Sequence, residues 1–202
     1  IDLSANIKYS DLDLTTLAYL ISNDAQVSKI DSNDKYYGLD LLAEVKLFSD
    51  INLLIGSDML FSRLAFSSMS GVNSDNNISA YTSISKALFG GEVSTGVRYE
   101  QSSEFGDQLS PSIGAVLPVP QLKDTIFRIN IEQAFNTPPL LWKYLEGVGQ
   151  AGNLDLVPER AWVVEAGVES KLIPRTWGKL SLYHSKVTDA IALAVNDEGA
   201  RY

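Results

Sequence analysis

The chain has 202 residues, enough for one or two ordinary domains, with 45% hydrophobic residues and a mean hydropathy close to zero. Its formal net charge of −9 argues against a nucleic-acid partner, which would demand clustered Lys and Arg. The absence of cysteine excludes a disulfide framework and a thiolate metal site, and no apolar stretch approaches the ~18 residues of a spanning helix, residues 190–195 being the longest run.

A spanning β-strand needs only ~9–11 residues, half of them free to be polar, and the chain is rich in such stretches. It opens in strict alternation, with Ile1, Leu3, Ala5, Ile7 and Tyr9 set against Asp2, Ser4, Asn6 and Lys8. A tight link is expected at 10–14 and a longer polar one at 23–33. In residues 35–49, Tyr37, Leu39, Leu41, Ala43, Val45 and Leu47 face away from Tyr36, Gly38, Asp40, Leu42, Glu44 and Lys46. A turn at 49–50 leads to a long strand at 51–66, then to a Ser/Asn-rich loop at 67–77. After the hairpin turn 89–91, Val93, Thr95, Val97 and Tyr99 oppose Glu92, Ser94, Gly96, Arg98 and Glu100. A longer link at 101–108 and a tight one at 118–124 follow. Phe127, Ile129 and Ile131 then oppose Arg128, Asn130 and Glu132. Beyond the longest connection, 136–159, Val164, Ala166 and Val168 oppose Glu165, Gly167 and Glu169, and a tight link closes at 173–178.

A period of two with one apolar face describes a half-buried strand. Short and long connections alternate, so in an up-and-down sheet all short turns gather at one end and all long loops at the other. Membrane β-barrels are built this way. Aromatic residues near strand ends (Tyr9, Tyr36, Tyr37, Phe48, Phe66, Tyr99, Phe135, Trp162, Trp177) fit interfacial girdles. The expected fold is all-β: a transmembrane antiparallel up-and-down β-barrel, present as a partial, open, curved sheet of about ten strands. Residues 1–202 are expected to form one partial barrel domain, with both ends reading as cuts through a larger protein.

Within 136–159, Pro138 and Pro139 cannot donate to a sheet ladder and release the chain from its strand. Residues 140–146 predict a short helical turn ended by the Gly-rich stretch 147–152. Asn153 and Asp155 suit a turn, and Pro158 fixes φ before the chain re-enters the sheet.

Four pieces of residues 109–191 resemble, in order, the barrel of TonB-dependent outer-membrane receptors. Residues 109–114, LSPSIG, are similar to the family's L-S-P-R-L-G, with Ser112 where Arg is common. Residues 129–138, INIEQAFNTP, are similar to A-S-Y-G-R-G-F-R-A-P, carrying Phe135 and Pro138. Residues 152–160, GNLDLVPER, match G-N-P-D-L-K-P-E-R through Gly152, Asn153, Asp155, Pro158 and Glu159, and Glu165 and Gly167 follow where the family has E-L-G. Residues 182–191, LYHSKVTDAI, resemble Y-x-x-x-x-K-D-x-I. The resemblance covers about 80 residues.

That resemblance implies a 22-stranded barrel around a plug, of which this chain supplies a middle piece. The plug domain, the coupling box for TonB and the C-terminal strands are not in it. It further implies the outer membrane of a Gram-negative bacterium, outer-membrane lipid as surroundings, and a scarce ligand: a ferric siderophore, or cobalamin, haem or an oligosaccharide. The long loop offers Trp142 and Tyr144 as rigid contact surfaces, and Lys143 and Arg160 as partners for an anionic chelate. The motif residues are expected to be structural. A passive porin and a soluble β-sandwich binding module are the alternative readings.

Catalytic and metal constellations are poor. His184 and Ser185 are strand neighbours and point to opposite faces. The pairs Asp11/Asp13 and Asp31/Asp34 are too thin for a metal site, and Gly90–Gly91 has no helix behind it to cradle a phosphate. No enzyme activity, cofactor or metal is expected.

Overall fold

The computed structural model describes the backbone of residues 1–19, 26–48, 50–66, 72–144, 146–147, 150–173, 175–192, 194–196 and 199–201. Side chains are described within these ranges except at 13–19, 26–32, 66, 72, 146–147, 150–151, 172–173 and 194–201. In chain order the elements are β1 (Asp2–Tyr19), β2 (Gln26–Phe48), β3 (Ile51–Phe66), β4 (Val72–Leu88), β5 (Gly91–Ser102), β6 (Gly106–Pro118), β7 (Thr125–Asn136), α1 (Leu140–Tyr144), β8 (Glu146–Gly147), β9 (Gln150–Ala151), β10 (Glu159–Ile173), β11 (Thr176–Thr188), β12 (Ala194–Asn196) and β13 (Gly199–Arg201).

Among the described residues, β1 to β7, β10 and β11 form one nine-stranded antiparallel sheet in sequential order. The four short strands form a second sheet, in which β13 runs parallel to β9. The expected strand count of about ten becomes nine because no turn forms at 10–14. Asp11 looked like a turn former, but it sits directly opposite Lys35 on β2 and pairs with its Nζ at 2.9 Å, while Asn33 donates to its other oxygen. A cross-strand ion pair therefore keeps β1 extended where sequence chemistry suggested a bend. Most of the loop expected at 23–33 is likewise strand, from Gln26 onward, with 23–25 outside the described residues.

The connections alternate between two ends. Those at 49–50, 89–90, 119–124 and 174–175 lie at one end, the turn end, and those at 20–25, 67–71, 103–105 and 137–158 at the other, the loop end. The expected sorting by length holds only in part, because the turn-end link 119–124 is longer than the loop-end links 67–71 and 103–105. The 101–108 link shrinks to the three residues 103–105, and β4 starts at Val72, well inside the expected 67–77 loop. At 89–90, Phe89 and Gly90 both have positive φ (52° and 77°), as the two-residue hairpin that matches strand twist requires.

Register places the two residue sets on opposite faces throughout. One face carries Asn6, Lys8, Asp40, Asp58, Ser79, Arg98, Ser110, Asn130 and Glu165, linked by successive cross-strand pairing. The other carries Ile7, Leu39, Met59, Ile78, Val97, Ile113, Ile131 and Val164. Their exposures invert those of a soluble sheet. Asp75, Ser79, Ser102 and Gln108 are buried, whereas Ile7, Leu41, Ile55, Ile84 and Ile113 are exposed. Side chains converge inside a curved sheet and splay on its outside, so the polar face is the inner one. Outer-face hydroxyls are satisfied internally: Ser57, Thr82 and Thr95 each donate to a carbonyl of the neighbouring strand (Ser79, Leu54 and Ser112, at 2.9–3.1 Å). A hydrocarbon-facing surface demands this, because lipid offers no partner. Tyr9, Tyr37 and Phe61 stand side by side across three strands near the loop end, the two tyrosine rings 5.2 Å apart. Tyr9 and Tyr37 are two of the residues expected in a girdle, and Phe61 is not among them. The side chain of Phe66 lies outside the description, and Tyr36 faces inward.

Candidate functional site at the loop end

The loop end is organised by one buried carboxylate. Asp75, on β4, is 4% exposed and accepts hydrogen bonds from the Ser102 hydroxyl (2.7 Å), the Ser103 hydroxyl (3.3 Å), the Glu104 amide (3.3 Å) and the Asn77 side-chain amide (3.2 Å). Ser102 in turn accepts the amides of Glu104 and Phe105. Four donors balance the burial of this charge and lock the 103–105 turn onto the wall.

The long connection docks onto that turn. After β7 ends at Asn136 and the chain passes the buried Pro138, α1 forms with the Trp142 amide bonded to the Pro139 carbonyl at 3.0 Å. Leu140 is the one large apolar side chain buried among the described residues. Lys143 Nζ lies 2.6 Å from Glu104 Oε1, and the Tyr144 hydroxyl donates to the same oxygen at 2.5 Å. The ammonium also stands 5.0 Å from the centre of the Phe105 ring. The hydrogen bond to Glu104, then burial, then the charges of Glu104 and Asp75 push the Tyr144 phenol up to about 12. Beyond α1, the Asn153 amide bonds to the Trp142 carbonyl and the Asn153 side chain accepts the Asp155 amide at 2.9 Å, forming the expected turn after Gly152. Pro158 is buried, and Glu159 clamps two elements: Asn136 donates to one carboxylate oxygen at 2.9 Å and the Ile191 amide to the other at 2.7 Å.

Arg160 does not project freely. Its Nε donates to Oε1 of the buried Gln108 at 3.1 Å, although β6 and β10 are not neighbours. The reach is possible because β6 and β7 pair only from Ser112↔Glu132 toward the turn end. Pro111 has no N–H to give, and above it the two strands part. A cleft of about 500 Å³ opens there, lined among others by Arg98, Glu100, Ser110, Glu132 and Asn136.

Farther down the inner face, Arg98 makes a bidentate pair with Asp58 (2.8 Å on both arms) and reaches Glu100 at 3.2 Å. Its guanidinium stacks 5.4 Å from the centre of Tyr81, whose ring covers Gly56 so closely that a Cβ there would stand 2.2 Å from Cζ. Arg128 pairs with Glu169, and Gly167 lies opposite Arg128 with Ser181 crowding its other side. Glu165, opposite Asn130, also faces inward. Among the described residues no cluster of metal-binding side chains occurs. His184 lies on the outer face opposite Val164, and Ser185 on the inner face opposite Val163.

The whole chain, residues 1–202, matches the family model described as TonB dependent receptor-like, beta-barrel. The chain belongs to the TonB-dependent receptor β-barrel family. Solved structures with the same fold include the siderophore receptor PirA from Pseudomonas aeruginosa (17% identity, TM-score 0.71, 94% of this chain and 40% of that one). The ferric enterobactin receptor PfeA from Pseudomonas aeruginosa is similar over 96% of this chain and 34% of its own, with 16% identity and a TM-score of 0.74. The copper transporter OprC is similar over 98% and 38%, with 13% identity and a TM-score of 0.76. No curated protein sequence matches the chain. The chain thus spans between a third and two-fifths of the length of these receptors and transporters.

Of the four residues singled out for ligand contact, the receptor-type wall brings Lys143 and Tyr144 together on Glu104 and engages Arg160 with Gln108. Sequence reading missed Asp75, Ser102, Glu104 and Gln108. Each is an ordinary polar residue near a strand end, and a partner on another element lies 27 to 52 positions away.

Proposed function

We propose that this chain is a sector of the barrel of an outer-membrane receptor of a Gram-negative bacterium, which captures a scarce ligand at the loop end and imports it with energy passed from TonB to a plug. The observation that carries the reading is the inverted sheet, apolar outside and polar inside, in a chain whose full length matches the family. The favoured ligand is a ferric siderophore, supported by the siderophore receptors that share the fold; cobalamin, haem and oligosaccharide are the other ligand classes. Import requires no chemical conversion, and Ser185 and His184, on opposite faces, offer no nucleophile–base pair.

The test deletes the reading frame containing this chain and measures uptake of radiolabelled iron from a siderophore panel, with and without TonB. Uptake lost in both deletions supports the proposal. Uptake that needs the frame but proceeds at full rate without TonB identifies a passive porin instead.

A further inference from the structure

The connection 137–158 is long, and a five-residue helix such as α1 has no stability of its own. Its position must come from contacts. Among the described residues, β9 within the connection pairs with β13, and α1, with its buried Leu140, is tied to the wall at Glu104 Oε1, which receives both the Lys143 ammonium and the Tyr144 hydroxyl, with the Phe105 ring beside the ammonium. The pair is little screened, with the Lys143 side chain 12% and the Glu104 side chain 19% exposed. Glu104 is held in its turn: its amide bonds Asp75 and Ser102, both buried, and Gly106, at φ 70°, closes the turn as few other residues would. The carboxylate is therefore fixed to the wall, while the loop is fixed to the carboxylate.

We propose that Glu104 is a positioning residue that docks the α1 segment of the long connection onto the 103–105 turn, so that the loop is ordered before any ligand arrives. The docking stands on the geometry alone; its use in ligand capture rests on the receptor function proposed above. Pre-ordering lowers the entropic cost of ligand capture, because the loop is already in place when the ligand lands.

The experiment uses the intact receptor in detergent micelles and reads trypsin cleavage after Lys143 by mass spectrometry, alongside thermal unfolding of the barrel. Cleavage of a docked loop follows the population of its open form. Glu104→Gln is expected to speed cleavage after Lys143 about tenfold or more while leaving barrel unfolding unchanged. Because the charge-swapped receptor lacks Lys143, docking in it is read by chymotrypsin cleavage after Tyr144. Glu104→Lys alone should speed that cleavage, and Glu104→Lys combined with Lys143→Glu should restore protection. Equal cleavage of wild type and Glu104→Gln overturns the proposal, and so does a parallel fall in barrel unfolding temperature, which would make Glu104 part of the wall. Binding of ferric enterobactin, haem and cobalamin is measured on the same samples. If none binds while Glu104→Gln still frees the loop, the docking stands and the ligand reading falls.

Discussion

Replacing Ile129 and its neighbour Asn130, each by Arg, tests the facing of the sheet. Ile129 lies on the outer face opposite Ala115 and Ala166, and Asn130 on the inner face opposite Gly114 and Glu165. At ~3.3 Å per residue and a tilt of ~40°, Ile129 stands roughly 10 Å above Thr125, near the middle of an apolar band ~25 Å tall. Arginine at such a depth costs ~2–4 kcal/mol on the lipid side. That corresponds to roughly thirty-fold to several hundred-fold in the equilibrium between inserted and uninserted barrel. On the inner face the same side chain would meet water and the carboxylates of Glu132 and Glu165, which have no basic partner among the described residues. Folding of the intact receptor into bilayers, followed by urea titration and heat-dependent gel mobility, should show Ile129→Arg strongly impaired and Asn130→Arg close to wild type. Equal tolerance of both would mean the register is off by one residue.

Three further outcomes can be checked on the same receptor. Because Tyr144 is raised to about 12, its proton is held more tightly in the docked loop than in a free one; its contribution to docking is complete below about pH 10 and is lost as pH rises toward 12, read as the tyrosinate absorbance difference between wild type and Tyr144→Phe. A Tyr144 that ionises with ordinary tyrosines refutes the contact with Glu104. Asp75→Ala strips four donors of their acceptor and should destabilise the loop end by about 2–4 kcal/mol, seen as faster hydrogen exchange in 102–106, whereas exchange matching wild type would show that the turn holds itself. Gly56→Val should expel the Tyr81 ring at a cost of about 1–3 kcal/mol in barrel stability, and Tyr81→Ala should recover part of it; no recovery would mean the clash lies elsewhere.

Face chemistry was legible because the period of a strand is two, and a barrel wall needs opposite chemistry on its two sides at every strand. Val97, Ile131 and Val164 on one side and Arg98, Arg128 and Glu165 on the other follow from counting alone. Turn positions were less so. Asp11 and Asn33 carry the same local signal whether they bend the chain or pair across two strands, and only the register with Lys35 decides. The 103–105 turn is short for a similar reason. Its polar residues do not solvate a loop; Ser102 and Ser103 bond Asp75 on the neighbouring strand.

The loop-end residues show why a side chain's chemistry does not identify its partner. Lys143 read as a free cation for an anionic chelate, but its charge is matched by Glu104 at 2.6 Å, with Phe105 and Tyr144 beside it. Arg160 read as a second cation and instead spans the parted strands β6 and β7 to reach Gln108. An anionic ligand seeking Lys143 would have to compete with a carboxylate already in contact and would free the loop as it succeeded. A neutral or cationic ligand would leave that pair intact and meet an ordered loop. In the proposed receptor, ligand charge and loop order would therefore be coupled through Glu104: an anion that binds through Lys143 should raise chymotrypsin cleavage after Tyr144, and a ligand that binds elsewhere should leave it unchanged or lower it.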